Sequence, residues 1–287
     1  MIRLSRCCGP VRGAAAALVL LVLGSVTVAQ TPRLKNIELC NGEDKSTPDR
    51  QIEGCTALID SGEETPPIRA VAHNNRGNAY TAKGEYDLAV KDYDEAVKLN
   101  PSYTKAFNNR GVVYEKKGEF DRAIEDFDQA IKLDPNYASP FANRAAIHAS
   151  KGEYDRATQD YDEAIRLAPV VEAAVWNGRC WSRAVIGELE KALSDCDEAL
   201  RLDPNDTAAF DSRGFTYLKT RQWDAAIRDY SSALQRDPRL ASALYGRGLA
   251  KQKKGDTAGA NADIAAATAI APNIAADFPR YGVQIRD

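Results

Sequence analysis

Residues 75–94 read NRGNAYTAKGEYDLAVKDYD, and residues 109–128 read NRGVVYEKKGEFDRAIEDFD. The arginine of this phrase returns at Arg76, Arg110, Arg144, Arg179, Arg213 and Arg247, at spacings of 34, 34, 35, 34 and 34. A fixed period of this length marks a repeat array. Each copy closes on proline, at Pro101, Pro135, Pro169, Pro204, Pro238 and Pro272, and the single extra residue falls in the loop at 169–172.

Numbered from 1 to 34, the units run over 70–103, 104–137, 138–172, 173–206, 207–240 and approximately 241–274. Alanine holds position 20 (Ala89 to Ala260) and position 27 (Ala96 to Ala267) in all six. Position 8 is small, and in four units each bulky rings fill positions 4, 17 and 24, as Phe107, Phe120 and Phe127 do in the second unit. Offsets of three and four place these residues on one face of a helix. A glycine at position 15, replaced only by Arg221, divides each unit into a helix A and a helix B. Proline then ends helix B, because it pushes the residue before it out of helical conformation.

This pattern over 70–272 resembles the tetratricopeptide repeat. The resemblance implies an all-α fold, a right-handed α-solenoid of stacked antiparallel helix pairs. One such pair cannot bury its own apolar face, so stability comes from stacking and the ends need caps. Residues 30–69 read as a capping segment or degenerate leading repeat, and 273–287 as a C-terminal capping helix with Phe278 and Tyr281 where a seventh helix A would carry them. Arg221, Thr257 and Ile264 depart from the pattern and single out the C-terminal units as the least stable part of the array.

Position 7 of the general repeat is usually leucine, yet here it is always arginine, and position 23 is always aspartate: Asp92, Asp126, Asp160, Asp195, Asp229 and Asp263. Six of six at both positions points to structural ion pairs, with the arginine stem between helices and its guanidinium on a carboxylate of helix B.

The chain opens with Arg3, Arg6 and Arg12 ahead of an apolar run over 14–23, with small residues at Thr27, Val28 and Ala29. This is the form of a signal peptide, 1–29, cleaved after Ala29. The run is too interrupted by Gly24, Ser25 and Thr27 to supply the about 20 apolar residues of a membrane span. An exported, periplasmic protein is therefore expected, the Gram-negative setting coming from resemblance to exported bacterial repeat proteins. A membrane association would follow only if the leader were kept. Four cysteines follow the leader, Cys40, Cys55, Cys180 and Cys196; export favours their oxidation, and locality favours pairing the first with the second and the third with the fourth.

Removing three leader arginines takes the formal charge from -3 to -6, a poor basis for nucleic-acid binding. The only histidines, His73 and His148, occupy packing positions. There is no metal-spaced Cys/His cluster, phosphate loop or nucleophile elbow, so no catalytic residue, metal, cofactor or small-molecule substrate is expected. What remains is the concave groove, which the family resemblance places at helix A positions 2, 5, 9, 12 and 13. Early in the chain these include Asn74, Asn78, Lys105 and Asn108, amides and a cation suited to gripping a peptide backbone; later they include Trp181, Asp211, Phe215, Tyr245 and Leu249, suited to an apolar anchor. The carboxylate clamp of the family's cytosolic chaperone binders lacks its cations here, where Asn74, Ser139 and Asn143 stand instead. The sequence thus points to a non-enzymatic adaptor that binds a protein or peptide. A tethered envelope assembly factor and a redox-responsive protein using Cys180 and Cys196 are the alternatives.

Overall fold

The computed structural model describes residues 32–43, 47–168 and 172–283. The leader expected at 1–29 and three residues of the lengthened loop, 169–171, lie outside them. Among the described residues there are fifteen helices and no strand. α1 (Pro32–Asn41) and α2 (Pro48–Asp60) precede six further pairs: α3 (Pro66–Ala82) with α4 (Tyr86–Leu99), α5 (Thr104–Lys116) with α6 (Phe120–Leu133), α7 (Ala138–Ser150) with α8 (Tyr154–Leu167), α9 (Ala173–Ile186) with α10 (Leu189–Leu202), α11 (Thr207–Lys219) with α12 (Trp223–Arg236), and α13 (Ala241–Lys253) with α14 (Thr257–Ile270). A short α15 (Ile274–Arg280) ends the array. None of these helices is long and apolar enough to cross a membrane.

Each turn inside these six pairs is closed by the same bond. The amide after the turn residue reaches back to a helix A carbonyl five positions earlier, as in Glu85 to Tyr80 at 2.9 Å and Gln222 to Tyr217 at 2.9 Å. The geometry requires a left-handed residue, which glycine adopts at no steric cost. Gly84 stands there at φ 75°, and Arg221 takes the same region at φ 61°.

Packing follows the alternation of small and large. A Cβ on Gly77 would lie 2.8 Å from the Tyr93 ring, so the missing side chain is what admits that ring between α3 and α4. Tyr93, Phe127 and Tyr230 are all but sealed from solvent. The largest apolar cluster runs from Cys180 to Val283, so the thin aromatic packing expected of the C-terminal units is offset by contributions from α15. The cysteines join helices within pairs: Cys40–Cys55 links α1 to α2 and Cys180–Cys196 links α9 to α10, with Cα separations of 4.6 and 5.3 Å.

The six arginines form a single recurring arrangement. Nε and Nη2 donate to the two carboxylate oxygens of the same unit's aspartate at 2.6–3.0 Å in every copy. The remaining Nη1 reaches the preceding pair: Thr56 for Arg76, Asp94 for Arg110, Asp128 for Arg144, Asp162 for Arg179, Asp197 for Arg213 and Ser231 for Arg247. Exposed lysine bridges such as Lys117 to Asp87 at 2.8 Å repeat the inter-pair link at the rim, where solvent leaves them little net weight.

Two substitutions test these assignments. Asp126→Ala leaves the half-buried Arg110 fork without its main partner and is expected to destabilise the protein by about 3 kcal/mol in urea denaturation. Arg221→Gly relieves the left-handed backbone and is expected to stabilise it by about 1 kcal/mol in the same measurement.

Candidate functional site

Successive helices A approach within 8 Å between Cα atoms along the array, from α3 against α5 to α11 against α13, whereas no two successive helices B come so close among the described residues. Helices held closer on one side than the other make the stack curve toward the closer side. The inner, concave face is therefore built by α3, α5, α7, α9, α11 and α13.

Its first half is lined by amides. Asn109 donates to Asn74 at 3.1 Å and to Asn78 at 3.0 Å, and Asn143 donates to Asn108 at 3.1 Å. Asn78 also accepts from the hydroxyl of Tyr93 at 2.7 Å. The result is a ladder of side-chain amides crossing α3, α5 and α7 at one-repeat intervals. Asn74 and Asn108 are buried within it, while Asn78 and Lys105 face solvent. The ladder's inner members are thus engaged with one another, and Asn78 and Lys105 remain exposed beside them.

The second half differs from the sequence-based expectation. Trp181, Phe215 and Tyr245 do line the concave side of α9, α11 and α13, yet they form the bed on which α15 and Tyr281 lie, with Leu249 buried in the same apolar cluster. Phe278 packs on Tyr245 and Phe215 with ring centroids 4.8 and 5.9 Å away. Tyr281 meets Trp181 at 5.2 Å and Phe215 at 6.2 Å. Phe215 is left 2% exposed and Tyr245 5%, so neither presents an open anchor. Lys219, which sequence reasoning missed, fastens this cover: its Nζ donates to the carbonyls of Ala184, Val185 and Tyr281 at 2.6, 3.1 and 2.8 Å. Burial lowers its pKa. The two aromatic residues outside the array, opposite an aromatic stretch of groove, were the available signal.

Beneath this cover lies a cavity of about 440 Å³, bounded by Trp181, Phe215, Phe278 and Tyr281 and floored by Asp211 and Tyr230. Asp211 accepts from the Ser242 hydroxyl at 2.8 Å through Oδ2, while its Oδ1 is sealed from solvent without a protein partner. Burial pushes its pKa up to about 6, more than the Ser242 bond can offset. Sequence reasoning did not place Tyr230 here because it belongs to helix B; its ring passes beneath Gly246 of the next helix A. The Cys180 and Cys196 sulfurs are fully buried behind the groove.

Family models described as TPR repeat and tetratricopeptide repeat match residues 77–118, 104–137, 143–207 and 213–273. The chain belongs to the tetratricopeptide repeat family. No curated protein matches it by sequence. Among solved tetratricopeptide repeat structures, YrrB, described as having an unusual peptide-binding site, is 20% identical with a TM-score of 0.55, over 67% of this chain and 99% of that one. Pseudomonas aeruginosa PilF is 19% identical with a TM-score of 0.62, over 75% and 99%. A chain of the APC/C Cut9–Hcn1 hetero-tetramer is 18% identical with a TM-score of 0.64, over 89% of this chain and 49% of that one. At these identities the likeness establishes the solenoid fold alone.

The folded state holds a proton on Asp211 that the unfolded carboxylate releases near pH 4, so the stability this group contributes is present below that pH and is lost as pH rises to about 6. Asp211→Asn is expected to remove that slope and to be more stable at pH 7 by about 2–3 kcal/mol. Thermal melts between pH 4 and 7 check it.

Proposed function

We propose that this protein is a non-catalytic scaffold that binds a segment of a partner polypeptide along the amide-lined half of its concave face. The observation that carries the reading is the division of that face. Among the described residues the half over α9, α11 and α13 is covered by α15 and Tyr281, while the half over α3, α5 and α7 has no such cover and offers side-chain amides at repeat spacing. Amides can donate to and accept from an extended backbone at once, without selecting one side-chain chemistry. YrrB, with the same fold, is described as having a peptide-binding site, which agrees with this use of the architecture.

Both histidines are tied into side-chain pairings of the fold. His73 Nδ1 bonds to Asp92 at 2.9 Å and His148 Nδ1 to Glu153 at 2.8 Å, so both rings are engaged by neighbouring carboxylates. Among the described residues no group of histidine, cysteine and carboxylate side chains is arranged for a metal. A redox role for Cys180 and Cys196 is less favoured, because sealed sulfurs give an incoming thiolate no approach. Two internal cysteine bridges, together with the leader-like start of the sequence, support an exported, periplasmic setting.

Photo-crosslinking tests the proposal. A benzophenone amino acid at Lys105 or Asn78, on the open concave half, is expected to capture a discrete partner in cells. The same group at Lys132, on the exposed side of α6, is not. Equal capture at Lys132, or undiminished capture at Lys105 after Asn78→Ala and Asn109→Ala are combined, overturns the assignment.

A further inference from the structure

At the N-terminal end of the inner face lies a second cavity, and its walls are exposed. α1 and α3 approach within 8 Å between Cα atoms, as later helices A do, whereas α2 and α4 do not, so α1 extends the concave side. Between α1 and α3 is a hollow of about 370 Å³ bounded by Ile37, Leu58, Ile68 and Val71, with Asn41 at one edge and Arg33 at another. Ile68 and Val71 are each 40% exposed, so apolar surface is presented to solvent here. Arg33 is held by Glu64 through Nε and Nη2 at 2.7 and 2.9 Å, and the hollow meets no lone charge at that edge.

The hollow continues the amide ladder. Asn75 donates to Asn41 at 3.3 Å, which carries the run of amides from α3 onto α1. Asn41 therefore ends the ladder and borders the hollow. A second row runs beside the ladder: Ile37, Val71 and Lys105 stand 34 residues apart, each four residues before a ladder amide, Asn41, Asn75 and Asn109. A spacing of four puts row and ladder on the same helix faces. Lys105 is exposed and, among the described residues, has no carboxylate partner, unlike Lys83, Lys117 and Lys151 at the rim. An extended segment gripped along the ladder turns alternate side chains toward this row. There it meets a free cation on α5 and apolar surface on α3 and α1.

Resting on the ladder reading above, we propose that the bound segment places a leucine-sized aliphatic side chain in the hollow between α1 and α3 and, on the same edge, a carboxylate side chain against Lys105. Burial of the aliphatic group also withdraws Ile68 and Val71 from water and supplies affinity, while the carboxylate fixes the register of the segment. The partner is thus an extended stretch in which acidic and aliphatic residues share one edge.

NMR titration of the full chain with three acetylated and amidated peptides, Glu-Gly-Leu-Gly-Glu, Glu-Gly-Ala-Gly-Glu and Gln-Gly-Leu-Gly-Gln, tests the assignment. The flanking acids set a carboxylate beside Lys105 whichever way the peptide runs. The first peptide is expected to bind at least fivefold more tightly than the alanine peptide and at least twofold more tightly than the glutamine peptide, shifting the Val71 methyls together with the side-chain amides of Asn78 and Asn109. Val71→Asp, at an exposed site, is expected to keep the wild-type melting temperature and lose the leucine preference, and Lys105→Ala to lose the glutamate preference. Equal binding of the leucine and alanine peptides, or a leucine preference that survives in Val71→Asp, overturns the anchor; shifts that persist at Asn78 and Asn109 then leave the ladder reading standing without it. Equal binding of the glutamate and glutamine peptides overturns the pairing with Lys105. Shifts at Val71 with none at Asn78 or Asn109 refute the ladder instead, and with it the single segment spanning both. Self-association in sedimentation that Val71→Asp abolishes assigns the hollow to a second copy of the chain and also overturns the proposal.

Discussion

The guanidinium at the seventh position of every repeat is the interaction on which the array depends. Two of its nitrogens hold the aspartate of its own helix B, and the third reaches the preceding pair. One side chain therefore fixes both the closure of a hairpin and the placement of that hairpin on its neighbour. Lysine could not substitute, since a point charge lacks the planar fork that satisfies both carboxylate oxygens while leaving a third donor free. In the four central units a ring at position 4 covers the fork: Arg179 lies 4.8 Å from the Trp176 centroid and Arg110 5.5 Å from that of Phe107. The pairing is shielded from one side by apolar surface and open to water on the other.

Most of this frame was legible in the sequence because its causes are local and periodic. Alanine at positions 20 and 27 and a small residue at position 8 state a packing rule six times over, with a ring at position 24 in four of the units, and a turn residue in the left-handed region states where each hairpin folds. The cysteine pairs were legible from locality. The groove was less so. The segment from Asn273 onward shares the ring spacing of a seventh helix A and reads as a continuation of the stack. It instead leans over the inner face because its strongest partners, Lys219 and Trp181, lie about two and three repeats back, and a periodic reading carries no information about contacts at that range.

The concave face thus has two chemistries. Toward the N-terminus, amides bond to amides across successive helices, giving a surface that is polar but carries few charges. Toward the C-terminus, aromatic rings from three helices and the terminal segment close over a carboxylate. Both arise from the same positions of the repeat. Position 5 is Asn74 and Asn108 in one half and Asp211 and Tyr245 in the other. The repeat's packing positions are largely held constant while the groove positions vary, so one scaffold carries unlike surfaces.

The reach of the terminal segment also changes how the array comes apart. In a simple stack each hairpin meets only its immediate neighbours, so the last one frays first and the rest unzip in turn. Tyr281 ties the chain end to residues of α8, α9 and α11 at once, through Tyr154, Trp181 and Lys219. With Phe278 packed on Tyr245 of α13, the four hairpins from α7/α8 to α13/α14 are laced into one block, and opening that end requires releasing them together instead of one after another.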